Sequence, residues 1–145
     1  MAEDEELVAA KLAQCLEFHL PGGFTHPLPP VRAAAFAAVS SAATSVLARL
    51  SEADLERCSS SAQAAMSRDE AGPVRAAACK VLGSIACSPA YIASAPLRAR
   101  LGDALVAMRR DRNLAVRIAT AWSLANVLDG LRAAPTRAGA HAVAE

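Results

Sequence analysis

The sequence predicts an all-α protein, a short α-solenoid of about three stacked helical hairpins. Three observations predict it. Alanine fills 37 of the 145 positions, while aromatic residues make up only 3%. A segment of about 42 residues recurs along the chain. Within each copy the larger apolar residues fall at the helical period of 3.6, not the strand period of two. A sandwich or barrel would need many β-branched and aromatic positions at period two. The hydrophobic fraction of 54% is too high for a charge-rich disordered chain. No apolar run approaches the roughly 18 residues that a membrane span needs.

The first helix is expected over residues 5–20, with Leu7, Leu12 and Leu16 on its apolar side. Pro21-Gly22-Gly23 reads as its stop signal, and Pro27 to Pro30 as a stiff connector. A first repeat is expected over about 30–50, with Val31, Val39, Val46, Leu47 and Leu50 forming its stripe. The second covers about 51–87. Ser51 and Asp54 make a capping-box-like start, and the helix runs through Leu55, Cys58, Ala62 and Ala65 to about Met66. Pro73 then opens a helix whose Val74, Ala77, Ala78, Val81, Leu82 and Ile85 share one face. Ser88-Pro89 breaks the chain between units. The third repeat covers about 94–131. Ser94-Ala95-Pro96 starts a helix through Leu97, Leu101, Leu105 and Met108. Its second helix carries Val116, Thr120, Leu124, Val127, Leu128 and Leu131 in line. Residues 1–131 are thus expected to form one repeat domain, and 132–145, which show no stripe, a disordered tail.

The copies align without gaps. Pro30-Val31-Arg32-Ala33-Ala34-Ala35, Pro73-Val74-Arg75-Ala76-Ala77-Ala78 and Ala115-Val116-Arg117-Ile118-Ala119-Thr120 share a register, with their valines 43 and 42 residues apart. Val39, Leu82 and Leu124 form one further column, and Ser40, Gly83 and Ala125 another. Asp69 and Asp111 each stand five residues before their valine; His26 holds that place in the first copy. Such a unit cannot bury its apolar face alone, so neighbours must stack.

The Asp-x-x-x-x-Val-Arg spacing at Asp69–Arg75 and Asp111–Arg117, followed by alanine-rich helix, resembles the HEAT/armadillo type of repeat across about residues 30–131. Pro73–Gly83 and Val116–Asn126 resemble one group of HEAT repeat-containing proteins that has plant members. The resemblance implies a right-handed superhelix of HEAT-like hairpins, inside the cell, that holds other proteins. The first copy departs from it by lacking the aspartate.

The spacing also has a physical reading. Arg75 and Arg117 sit in the first turn of a helix, where the macrodipole disfavours a cation. Asp69 and Asp111 can offset that and satisfy the guanidinium, either within a repeat or across to the next. These four residues form the expected structural ladder. Arg32 has no such aspartate before it, so the first repeat is expected to be the loosest.

Signs of catalysis are missing from the sequence. The histidines are His19, His26 and His141, none followed by Glu, whereas HEAT-like di-iron hydroxylases need several His-Glu pairs. No phosphate-binding, dinucleotide-binding or nucleophile-elbow motif occurs. Cys15, Cys58, Cys79 and Cys87 lack metal-ligand spacing and read as small hydrophobes. No catalytic, cofactor or metal role is assigned to any residue, and no cofactor is expected.

Two surfaces stand out. On the second helix of each unit, the face opposite the core stripe holds mostly small residues, with Lys80, Ile118, Trp122 and Asp129 as the larger side chains that a protein partner would meet. Trp122 is the only tryptophan, and packing and partner contact are equally open for it. Charge is split: residues 1–70 carry a net −5 and residues 71–145 a net +6. Arg109, Arg110 and Arg112 form a basic patch at the turn before the third repeat helix. The reading is a non-enzymatic protein scaffold. The alternatives are an adaptor for nucleic acid or an acidic partner through the basic half, and a fragment or short isoform of a longer solenoid. Self-association through the last repeat is a further expectation, and the acidic start points to the cytoplasm or nucleus rather than a targeted compartment.

Overall fold

The computed structural model describes residues 2–133, and among these the chain is all-helical, with no strand. The helices are α1 (Ala2–Phe18), α2 (Leu20–Phe24), α3 (Pro29–Ser40), α4 (Thr44–Leu47), α5 (Glu52–Arg68), α6 (Gly72–Ile85), α7 (Pro89–Ala93), α8 (Ala95–Met108) and α9 (Leu114–Ala133). Their starts follow from local chemistry. Proline occupies the first turn of α3, α6, α7 and α8, where its missing N–H would have no intrahelical partner. Three serines cap the helices that follow them. Ser51 accepts from the Asp54 amide at 3.1 Å, Ser88 from Tyr91 at 3.3 Å and Ser94 from Leu97 at 3.3 Å.

Helix α6 is the centre of the packing. It lies against α3 on one side and α9 on the other, with α5 against α6 and α8 against α9. Its Val74, Ala78, Val81, Leu82 and Ile85 are all fully buried. Burying each such Val, Leu or Ile side chain contributes about 1.5–3 kcal/mol. Leu16, Phe36, Val39, Leu47, Leu55, Leu101, Leu105 and Tyr91 extend the same core to either side. Phe24 stacks on Phe36 with ring centroids 4.4 Å apart, which ties α2 to α3.

Small residues set the helix spacing. A Cβ on Gly83 would stand 2.5 Å from Ser123 Oγ, and one on Gly130 would stand 2.7 Å from the Ala86 carbonyl oxygen. The backbones of α6 and α9 therefore approach more closely than a larger side chain would allow.

Several expectations are corrected. The first helix spans Ala2–Phe18, and Pro21-Gly22-Gly23 lies inside α2 instead of stopping α1, because proline in a first turn starts a helix as readily as it ends one. The expected stripe over 30–50 is broken. α3 ends at Ser40, where the Ser40 and Ser41 hydroxyls bond back to the Ala37 and Ala38 carbonyls, and Ala43 is extended before α4. α9 continues through Arg132 and Ala133; the rest of the expected tail, 134–145, lies outside the described residues. Leu7, Val31, Leu128 and Leu131 are exposed rather than in the core. In α9 the buried face is Val116, Ala119, Thr120, Ser123 and Val127, because only small or hydroxylated side chains fit so close to α6.

Candidate interaction surface

The two junctions flanking α6 are built alike. At the first, Arg32 of α3 donates from Nε to Asp69 Oδ2 at 2.7 Å and from Nη2 to Asp69 Oδ1 at 3.0 Å. At the second, Arg75 of α6 donates from Nε and Nη2 to the two carboxylate oxygens of Asp111, each at 2.8 Å. Both are two-pronged charge-assisted pairs, the geometry in which a guanidinium binds a carboxylate most strongly. Each aspartate belongs to the turn before the following long helix. It also fixes that turn: Asp69 Oδ1 accepts the Ala71 amide at 3.0 Å and Asp111 Oδ1 the Asn113 amide at 2.8 Å.

Each arginine is held from behind by its own turn. Arg32 Nη1 donates to the carbonyls of His26 and Pro27, and Arg75 Nη1 to those of Asp69 and Glu70. The hydrogen bond from Arg32 holds the Asp69 carboxyl below its ordinary range, and that from Arg75 does the same for Asp111. The same bonds raise both arginines further.

A second bond repeats beside the first. Ser84 Oγ donates to the Ser40 carbonyl at 3.1 Å, and Asn126 Nδ2 donates to the Gly83 carbonyl at 3.1 Å. Ser84 and Asn126 occupy the same place in their copies, as do Ser40 and Gly83. The register of α6 on α3 is thus repeated by α9 on α6.

Of the four expected ladder residues, three are in ion pairs: Asp69, Arg75 and Asp111. The pairs cross to the neighbouring unit and do not form within one. Arg117 is therefore not a partner of Asp111, whose carboxylate is taken by Arg75. Arg117 keeps only the bonds to its own turn, from Nη1 to the carbonyls of Asp111 at 2.9 Å and Arg112 at 3.3 Å. Arg32, left without an acid by the reading of its own unit, takes Asp69 of the next. The expectation of a loose first repeat loses its basis. His26, in the aspartate's place, accepts the Leu28 amide on Nδ1 at 3.1 Å and so performs the turn's bond but not the ion pair.

The expected partner face divides. Ala76 and Gly83 are buried, because α9 lies over them. Their counterparts in α9, Ile118 and Ala125, are open, and on the same helix Ile118 is 61% exposed, Trp122 47% and Leu128 56%. Lys80 is also exposed, and Asp129 pairs on the surface with Arg132 at 3.4 Å. Arg109, Arg110 and Arg112 are exposed around the turn before α9, with Arg109 Nη1 bonded to the Val106 carbonyl. A separate open cleft of about 530 Å³ lies between α5 and α7–α8, crossed by the Arg100–Glu56 pair. Among the described residues no three His, Cys, Asp or Glu side chains converge as a metal site, and no helix is long and apolar enough to cross a membrane.

No protein-family model, curated protein or solved structure matches the chain.

Proposed function

We propose that the chain is a HEAT-type α-solenoid, a right-handed superhelix of about three helical hairpins, and that it serves as a non-enzymatic scaffold for protein partners inside the cell. Two features support the solenoid reading: the same arginine–aspartate pair and the same side-chain-to-carbonyl bond recur at successive junctions. The observation that carries the scaffold reading is the open face of α9. There Ile118, Trp122 and Leu128 lie exposed on one helix, and tryptophan is among the commonest anchors of protein interfaces.

The test is a tagged pull-down from native extract, with and without nuclease, comparing wild type with Trp122→Ala. A stoichiometric protein partner that survives nuclease and is lost in Trp122→Ala supports the reading. Partners that vanish with nuclease would transfer the function to the basic side at Arg109, Arg110 and Arg112. Partners retained in full by Trp122→Ala would remove α9 from the account.

A further inference from the structure

The molecule itself displays, at its two internal junctions, what covers a face like the open one on α9. Forty-two residues separate Arg75 from Arg117, Cys79 from Ala121, Gly83 from Ala125 and Ala86 from Leu128. Arg75, Cys79, Gly83 and Ala86 all meet α9 or the turn before it. Cys79 and Gly83 give their carbonyls to Ser123 and Asn126, and the Ala86 carbonyl lies against Gly130. The α9 members all lie on the surface. Arg117 completes the match. Its Nη1 is held by its own turn as those of Arg32 and Arg75 are, while no carboxylate among the described residues meets its Nε and Nη2.

We propose that this face of α9 docks a helix of a partner protein whose preceding turn presents an aspartate to Nε and Nη2 of Arg117. The inference rests on the scaffold reading and names the chemistry of its partner. Charge favours an acid there, because Arg109, Arg110 and Arg112 surround the same turn. The docked helix needs small side chains opposite Ala121 and Ala125, and a hydroxyl or amide within reach of the Ala125 carbonyl, as Ser84 and Asn126 have for Ser40 and Gly83.

A second copy of this chain meets all but one of these needs. Its α3 offers exposed Ala34 and Ala38 in the required register, and Ser41, just past the helix, would have to turn its hydroxyl from the Ala38 carbonyl to supply the donor. At the aspartate's place, however, it offers His26, whose Nδ1 is already used by the Leu28 amide. The remaining Nε2–H of the neutral ring is a donor, which would face the guanidinium donors of Arg117. This face of α9 therefore disfavours α3 of a second copy and selects a carboxylate.

The test turns that difference into a probe. The receptor is the full wild-type chain. The probe is the full chain with His26→Asp, which supplies the acid, and Arg117→Glu, which disables its own α9 face. The control probe keeps His26. Circular dichroism and melting first establish that both probes fold as wild type does; aspartate at position 26 retains an acceptor for the Leu28 amide. Sedimentation then reads docking. The expected result is a one-to-one complex with the aspartate probe, at least tenfold weaker binding of the His26 probe, and at least tenfold loss in an Arg117→Gln receptor. Equal binding of the two probes, no binding up to millimolar concentration, or indifference to Arg117→Gln would overturn the proposal. So would wild-type self-association as tight as probe binding, which would make a second copy the occupant. A single-stranded oligonucleotide displacing the probe through Arg117 would make the ligand a phosphate instead. A pull-down partner that needs Trp122 but ignores Arg117→Gln would leave the scaffold reading standing and this one fallen. Probe binding with no extract partner on α9 would do the reverse.

Discussion

Arg75 and Asp111 belong to successive units and meet through two 2.8 Å bonds, with about nine-tenths of each side chain shielded from solvent. The pair joins the first turn of α6 to the turn that precedes α9. One carboxylate therefore anchors a neighbouring helix and shapes its own turn.

Breaking this pair should be costly, because either partner alone would be left shielded and unmatched. Arg75→Ala is expected to destabilise by about 3 kcal/mol, a fall of roughly 10 °C in Tm. Arg117→Ala, the same motif position without a carboxylate, should stay within about 0.5 kcal/mol of wild type. Thermal melts of the two variants side by side decide it, and equal costs would refute the cross-unit account.

Acid should loosen the junctions. Asp69 and Asp111 titrate below their ordinary range when folded, because Arg32 and Arg75 hydrogen-bond their charged forms. The unfolded state then takes up protons first as pH falls. Their contribution is fully present above about pH 5, since the unfolded carboxyl titrates near 3.9. It is lost as pH drops below that and through the depressed folded values. Tm measured from pH 7 to pH 2 should fall more steeply in wild type than in Asp69→Asn or Asp111→Asn, which begin lower and flatten.

Two glycine substitutions should have opposite signs. Gly83→Ala places a methyl against Ser123 and should cost about 1–3 kcal/mol by forcing α6 from α9. Gly102→Ala, within α8 and with nothing within 4 Å, should stabilise by up to about 1 kcal/mol. Denaturant titration of both variants checks the sign of each.

Thiol chemistry should be silent in the folded state at two positions. Burial pushes the Cys58 thiol up to about 12 and also raises that of Cys79, and both are fully enclosed. Alkylation at pH 8 followed by peptide mapping should leave both unmodified until denaturant is added. Early labelling of Cys58 would mean that α5 opens far more readily than its packing on α6 suggests.

Much of the architecture is legible in the sequence, and the reasons are local. The helix starts at Ser51 and Ser94, first-turn prolines and the stripe of α6 all act over fewer than four turns of helix, whereas Ser88-Pro89, expected as a break, caps and opens the short α7. What misled was burial at close helix contacts. The stripe of α9 favours its leucines, yet Ser123 and Asn126 face α6, because their hydroxyl and amide groups satisfy α6 carbonyls that leucine could not reach without separating the helices. The ladder shows the same limit. The aspartates and arginines stand out by recurrence, but their partnership spans 37 and 36 residues and depends on which neighbour lies alongside. The similar spacing of Arg32–Asp69 and Arg75–Asp111 is a signal in the sequence for pairing across units, which recurrence alone leaves open beside pairing within one.

Both junctions flanking α6 use the same clasp, set one period apart. Arg32 and Arg75 lie 43 residues apart, and Asp69 and Asp111 lie 42 apart. Excising one whole period would bring Arg32 to Asp111 and Ser40 to Asn126, a join as well matched as those it replaced. Removing half a period would leave clasp and catch out of phase. The length of the chain is thus expected to change without breaking a clasp only in whole-unit steps, like text cut only between words.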